Sequence, residues 1–130
     1  MRSLTFFAMI GIVGFLVDAS LLKLFIVLIE DDPILGRTLY FPVAVTVTWL
    51  LNRRYTFVPK YMSLFREWIS YVVVNSVGLT INLLVFMAVV FAFDAAKSYP
   101  IATLGIASLV AMFFNFFGSK YFVFKNKSIT

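Results

Sequence analysis

The sequence predicts an all-α integral membrane protein with four transmembrane helices, built as two parallel helical-hairpin repeats with both termini in the cytoplasm. Composition, the length of the apolar runs and the segregation of charge predict this fold. Hydrophobic residues make up 62% of the 130 residues and charged residues 13%, whereas a soluble domain has about half and about a quarter. Mean hydropathy is +1.00. This length accommodates roughly four spans of about 20 residues, so we expect a single transmembrane domain over 1–130.

Apolar runs bounded by charged residues or proline predict the positions of the four spans. They are Leu4–Ile29, Ile34–Leu51, Trp68–Phe93 and Tyr99–Gly118. The third run contains no charged residue, whereas the first contains Asp18 and Lys23. Each run is long enough to cross the hydrocarbon core of a bilayer as a helix.

The connections between the spans differ in charge. Basic residues lie before the first span, between the second and third, and after the fourth: Arg2, Arg53, Arg54, Lys60, Arg66, Lys120, Lys125 and Lys127, with Glu67 the only acid among them. The other two connections contain Glu30, Asp31, Asp32 and Arg37, and Asp94 and Lys97. The positive-inside rule therefore places both termini and the central loop in the cytoplasm and the protein in the cytoplasmic membrane. Anionic headgroups account for the net charge of +5, so we expect no nucleic-acid partner.

The central loop, 58–67, is predicted to be an interfacial linker. Apolar side chains between Tyr61 and Trp68 would lie on the lipid while Arg66 and Glu67 face water, which is typical of a short interfacial helix. An ordinary loop with a Trp anchor at the start of the third span fits equally well.

The two halves of the chain align with each other. Residues 33–57 align with 100–124 without a gap, which pairs Thr48 with Asn115, Arg53 with Lys120, and Tyr55-Thr56-Phe57 with Phe122-Val123-Phe124. Gly14-x-x-x-Asp18 likewise matches Gly78-x-x-x-Asn82. The alignment predicts repeat one over 4–57 and repeat two over 68–124. Because each repeat has two spans, a pseudo-twofold axis along the membrane normal should relate them.

Asp18 is the most informative single residue. An ionised carboxylate within hydrocarbon costs about 2.5–3.5 kcal/mol, so it should face the bundle or a wet cavity and have a partner. Asn82, Asn75 or a residue of another subunit could be that partner. A hydrogen-bonded structural Asp and a role in substrate passage or proton coupling both fit.

Arg53 and Arg54 follow Asn52 at the predicted inner boundary. A guanidinium presents a fixed fork of donors that suits two phosphate oxygens of a lipid headgroup, and Lys120 is the corresponding cation of repeat two. Cations at a cytoplasmic helix end also set topology. Asparagines within the spans, Asn75, Asn82 and Asn115, serve either interhelical hydrogen bonds or a pathway for sugar hydroxyls.

Several chemistries are missing from the sequence. With no Cys and no His, thiolate chemistry, disulfides and the commonest metal ligand are excluded. No pair of catalytic carboxylates, glycine-rich phosphate loop or nucleophile with an adjacent base is present. We therefore expect no enzyme, no cofactor and no metal.

Four segments together resemble the GtrA-like family: IVGFLVDASLL, TVTWLLNRRYTF, VVVNSVGLTINLLVF and SLVAMFFNFFGSKYFVF. The resemblance covers nearly the whole chain, and N-R-R-Y-T-F is its most specific part. It implies a small four-span membrane protein associated with cell-surface polysaccharide synthesis. Such proteins are proposed to move undecaprenyl-phosphate-linked sugars, often glucose, to the outer leaflet, or to support a polyprenyl-phosphate glycosyltransferase.

The resemblance also implies roles for particular residues: Asp18; Asn52, Arg53 and Arg54; and Asn115 with Lys120. Thr48 stands where the family often has Asn. Ser119-Lys120-Tyr121 is a weaker copy of Asn52-Arg53-Arg54, which favours repeat one as the phosphate site.

The leading functional hypothesis is a flippase for a polyprenyl-phosphate-linked sugar. Arg53, Arg54 and Lys120 would bind the phosphate, and Asp18, Asn52, Asn75, Asn82 and Asn115 would line the substrate pathway. The alternatives are a membrane anchor or partner of a glycosyltransferase, and a small multidrug-type proton antiporter. The expected partners are the sugar lipid and the membrane, with a glycosyltransferase partner and a homo-oligomer left open.

Overall fold

The structure is a computed structural model that describes residues 2–29, 33–57 and 63–124. Within these ranges every regular element is helical and no strand occurs. The chain divides into two compact units, Met1–Tyr61 and Met62–Thr130. The division between them falls within the predicted linker, 58–67.

The first unit is a pair of helices, α1 (Arg2–Ile29) and α2 (Pro33–Leu51), which pack along each other. Phe7 of α1 and Phe57, beyond the end of α2, make an edge-to-face contact with ring centroids 6.1 Å apart and ring planes at 66°. Gly14 allows α1 to approach the side chain of Thr48. The buried apolar side chains of this unit are Phe7, Ile10, Ala44, Val45, Trp49 and Phe57.

The second unit contains α3 (Leu64–Ala92), the short α4 (Asp94–Ser98) and α5 (Pro100–Gly118). The long helices α3 and α5 form its main contact. Gly118 lets α5 come close to α3, since a Cβ there would lie 2.7 Å from Cγ1 of Val74. Tyr71 and Phe124 make an edge-to-face contact with centroids 6.2 Å apart and planes at 63°.

Helix α3 begins earlier than the predicted third span, which started at Trp68. Ser63 adopts an extended backbone, its carbonyl accepts the N–H of Glu67 at 3.1 Å, and its hydroxyl accepts the N–H of Arg66 at 3.4 Å. A serine in this position satisfies N–H groups that the first turn leaves without helical partners. Leu64–Trp68 is therefore the first turn of α3, and not a separate interfacial helix or a loop. The rest of that predicted segment lies outside the described residues.

The connection between α3 and α5 is itself ordered by hydrogen bonds. The hydroxyl of Thr103 donates to the carbonyl oxygens of Ala96 at 3.2 Å and Tyr99 at 3.1 Å, and Thr103 is buried. Pro100 lies in the first turn of α5, where its missing N–H has no helical acceptor to lose. The predicted outer connection thus contains a helical turn, α4.

Helical winding of a different kind follows the ends of α2 and α5. Five residues after each form a π-helical segment, the first over Asn52–Thr56 and the second over Ser119–Val123. The α-helical parts themselves, α2 and α5, end at Leu51 and Gly118, where the predicted second and fourth spans end. Each segment closes with a backbone bond over five residues, Phe57 N–H to Asn52 O at 3.0 Å and Phe124 N–H to Ser119 O at 2.8 Å.

Three helical stretches within the described residues are long and apolar enough to cross a membrane: Arg2–Leu21, Leu64–Ala92 and Ile101–Val123. Large apolar side chains are exposed along them, such as Phe15 (69%) and Phe91 (80%). In a soluble protein such faces would be aggregation-prone, whereas lipid covers them without cost. Helix α2, the predicted second span, contains Pro42 and is not among the three.

Candidate functional site

The first π-helical segment carries the N-R-R-Y-T-F motif and is held together by its own first residue. The carboxamide oxygen of Asn52 accepts a hydrogen bond from the hydroxyl of Thr56 at 2.8 Å, and Asn52 is only 2% exposed. Its backbone oxygen accepts the N–H of Phe57. Asn52, predicted to line a pathway, is thus directed inward and fixes the backbone that presents the next two residues. Insertions of π-helix are frequent at functional sites.

Arg53 and Arg54 leave this segment in different environments. Arg53 is half-buried and Arg54 is exposed. The guanidinium carbon of Arg54 lies 5.7 Å from the ring centroid of Tyr55, whose side chain is 56% exposed. An aromatic ring under a guanidinium limits its conformations while its N–H groups stay free to bind an anion. The arrangement provides a cation and a phenol together beyond the end of α2, which suits a phosphate group.

The second π-helical segment presents a different cation. Lys120 is half-buried, and its Nζ lies 6.0 Å from the ring centroid of Phe116 and 5.6 Å from that of Tyr121. Phe117 stacks on Tyr121 with centroids 6.2 Å apart and planes at 7°. A lysine ammonium is a point charge without the planar fork of arginine. This segment is therefore built for packing a cation on aromatic rings and less for bidentate anion binding.

Asn75 and Asn82 of the second unit, both predicted to line the substrate pathway, make different hydrogen bonds. Asn82 donates from Nδ2 to the hydroxyl of Ser108 at 3.1 Å, which joins α3 to α5. Asn75 donates from Nδ2 to the carbonyl oxygen of Tyr71, one turn earlier on its own helix, at 2.8 Å. Asn82 therefore contributes to interhelical bonding, as the sequence allows.

Asn115 occupies the space that a side chain at position 78 would fill. Its carboxamide lies against Gly78, and a Cβ there would overlap Oδ1. That oxygen is buried and has no hydrogen-bond partner. A buried amide oxygen without a partner can accept a hydrogen bond from a hydroxyl or an amine. Until it does so, it destabilises the folded protein.

Asp18 lies in α1, but its side chain is outside the part of the chain that the structure describes. Its predicted partners, Asn75 and Asn82, donate to Tyr71 and Ser108. The role of Asp18 stays a prediction.

Three buried polar residues among the described residues of the second unit were not among the predicted site residues: Glu67, Thr103 and Ser119. Glu67 is 1% exposed in the first turn of α3, and Ser119 is fully buried with an Oγ that has no hydrogen-bond partner. The helix dipole stabilises a carboxylate at the position of Glu67. One signal in the sequence could have identified it, because Glu67 is the only acid among the residues of the predicted cytoplasmic side.

These features define the class of protein as an all-helical membrane protein with polar groups between its helices and cations at two helix ends. The chain belongs to the GtrA/DPMS transmembrane domain family, whose model matches residues 6–124. The predicted family resemblance is thereby confirmed. No curated protein and no solved structure matches the chain. Membership in this family connects the protein with polyprenyl-phosphate-linked sugars at a membrane.

Proposed function

We propose that the protein moves a polyprenyl-phosphate-linked sugar, such as a glucose carrier, from the cytoplasmic to the outer leaflet of the cytoplasmic membrane. The observation that carries this proposal is the placement of Arg53 and Arg54 on a π-helical segment at the end of α2, within a GtrA/DPMS domain. Arg54 is exposed and lies over Tyr55. An anionic carrier lipid has its only strongly charged group, the phosphate, at this level of a bilayer.

The proposed topology has four spans, α2 included, and both termini in the cytoplasm. The distribution of basic residues along the chain supports it. The two units are proposed to be parallel repeats, and their matching contacts at corresponding residues support that relation.

The proposed passage for the sugar uses sparse polar side chains. In the second unit these are Asn75, Asn82 and Asn115, and the acceptor at Asn115 Oδ1 suits a sugar hydroxyl. In the first unit the candidate is Asp18. The prenyl chain stays in lipid throughout, so no closed channel is needed. The protein forms and breaks no covalent bond in this proposal, and its work is recognition and passage.

Transport in liposomes tests the phosphate assignment. The purified protein is reconstituted with a polyprenyl-phosphate sugar, and a membrane-impermeant oxidant measures how fast the sugar reaches the outer leaflet. Arg53→Gln/Arg54→Gln should reduce the rate at least tenfold, because each hydrogen bond to a charged group contributes about 1.5–3 kcal/mol. Lys97→Gln is the matched control. It removes a cation that pairs with Asp94 at 3.2 Å on α4, and it should leave the rate unchanged. An unaltered rate in the double variant would overturn the assignment.

The second candidate function is a membrane partner of a polyprenyl-phosphate glycosyltransferase. The family description favours this second role, because one transmembrane domain model covers both GtrA and DPMS proteins. Co-purification with such an enzyme, together with no flipping by the isolated protein, would support this role in place of transport.

A further inference from the structure

An apolar groove of about 450 Å³ runs along one face of the second unit, between α3 and α5. On α3 the groove is lined by residues that include Ser70, Val73 and Val77. On α5 and the π-helical segment after it, the lining includes Phe114, Gly118 and Phe122. Ser70 is the polar residue among them. The groove belongs to a face whose neighbouring apolar side chains are exposed, for example Phe122 at 71% and Val73 at 55%.

The two helices lie close together beneath the groove. Gly118 permits a close approach of α5 to Val74, 2.7 Å from the position of a Cβ, and both residues line the groove. Along α3 the groove extends from Ile69 to Val77, which is about 12 Å at 1.5 Å per residue.

A cation lies beyond one end of this groove. Arg66 is exposed and stands one turn before Ser70 on α3. Successive residues of a helix are 100° apart, so Arg66, Ser70, Val73 and Val77 share one face. The face thus combines an apolar chain site with a positive charge near the point where α3 begins.

We propose that this groove binds the chain of a prenyl monophosphate lipid and that Arg66 attracts its phosphate. The identity of the lipid rests on the proposed function. A prenyl phosphate has one chain, whereas a glycerophospholipid presents two chains side by side, so competition between the two lipids tests the assignment. Apolar walls and one exposed guanidinium complement a neutral chain with an anionic end. The groove is a docking site within the second unit, in addition to the headgroup site proposed in the first.

Photo-crosslinking with a prenyl monophosphate that carries a diazirine in its chain tests the docking site. The full-length protein is placed in phosphatidylcholine vesicles, labelled, and mapped by peptide mass spectrometry. Labels should fall within 69–77 and 114–122, and unlabelled prenyl monophosphate should compete with the probe. Competition of equal strength by phosphatidylglycerol, or labels spread evenly over exposed apolar faces, would overturn the proposal.

Two tryptophan variants provide the matched comparison. Val77→Trp fills the groove from its lipid side, while Leu79→Trp adds the same ring on another face of α3; the two residues are 43% and 58% exposed. Val77→Trp should reduce labelling about tenfold, equivalent to about 1.4 kcal/mol, and Leu79→Trp should not reduce it. Arg66→Gln should reduce labelling severalfold, while Lys97→Gln, which removes a cation paired with Asp94 on α4, should leave it unchanged. Equal labelling of the two tryptophan variants would overturn the assignment.

The transport assay on the same vesicles separates this inference from the proposed function. Labelled groove residues without flipping would mean that the docking site is present and the transport proposal fails. Flipping by a protein whose groove takes no label would mean that transport stands and the docking site is wrong.

Discussion

The two units of the molecule share the same kind of aromatic contact between helical segments but carry different polar groups beside it. Phe7 with Phe57 and Tyr71 with Phe124 make edge-to-face contacts at nearly the same distance and angle. Each pair lies where a π-helical segment ends against a long helix. The first unit places two arginines on that segment, whereas the second has one lysine and a buried serine. Packing can therefore be retained while charge and hydrogen bonding change.

The same contrast recurs where each glycine meets the facing helix. Thr48 points its methyl group at Gly14, and its hydroxyl donates to the carbonyl oxygens of Ala44 and Val45 at 3.2 and 3.0 Å. Asn115 instead places a carboxamide on Gly78 with a buried oxygen that has no partner. Among the described residues, the hydroxyls of Thr48 and Thr56 in the first unit have partners, whereas Asn115 Oδ1 and Ser119 Oγ in the second have none. The free acceptor at Asn115 is the feature on which its proposed role in sugar passage depends.

The largest expected effect tests whether the aromatic contact contributes equally to the stability of the two units. Phe57→Ala and Phe124→Ala should each lower the free energy of unfolding by about 3 kcal/mol, because each removes a buried ring and its aromatic contact. Phe57 is 7% exposed and Phe124 1% exposed. Reversible unfolding in mixed detergent micelles measures both. If one variant lost less than a third of the free energy of unfolding that the other lost, the two contacts would not be equivalent.

Replacing a buried polar side chain should change the stability less, and with opposite signs in the two units. Asn52→Leu removes the acceptor of the Thr56 hydroxyl and should destabilise the protein by about 1–3 kcal/mol. Ser119→Ala removes a buried hydroxyl without a partner and should stabilise it by up to about 1 kcal/mol. The same unfolding assay applies.

The double variant Asn52→Leu/Thr56→Val provides the control for this sign change. It replaces both partners with apolar groups and should recover part of the loss caused by Asn52→Leu alone. Destabilisation by Ser119→Ala would show that its hydroxyl has a partner in the membrane and would remove the contrast.

The difference between alanine substitutions at the two glycine contacts should be the smallest of the three comparisons. Gly14→Ala should lower the melting temperature more than Gly78→Ala, because the Thr48 methyl group is fixed close to its backbone whereas the Asn115 carboxamide can rotate away. For Gly14→Ala we expect a loss of about 1–3 kcal/mol. Gly11→Ala and Gly105→Ala are the controls, since a Cβ at either position meets nothing within 4 Å. Equal losses at positions 14 and 78 would contradict the proposed difference.

Helix positions were largely predictable from the sequence, and their ends were not. Apolar runs identified α1, α2, α3 and α5 to within a few residues, because a membrane helix requires a long stretch of such residues. The start of α3 was placed too late, since the cap at Ser63 is a local hydrogen-bond arrangement within a short polar stretch. Both π-helical segments were missed for the same reason, because Asn52 and Ser119 carry no periodic signal that distinguishes a π-turn from a helix end.

The residues of the candidate site were predictable as types but not as environments. Two adjacent arginines at the end of an apolar run indicated an anion site from charge alone. That Arg54 is exposed over Tyr55, and that Asn52 is directed inward to Thr56, depends on how the segment winds. Glu67 could only be recognised as buried once α3 had been packed against its neighbours.

By itself the sequence determined that this is a helical membrane protein of the GtrA/DPMS family, because hydropathy, charge distribution and motif are properties of composition and order along the chain. Only the tertiary structure decided which polar atoms are satisfied and where a groove opens. Those outcomes depend on contacts between helices, such as Gly78 with Asn115 and Gly118 with Val74. A glycine in a sequence permits close approach, but the partner that approaches it is chosen by packing.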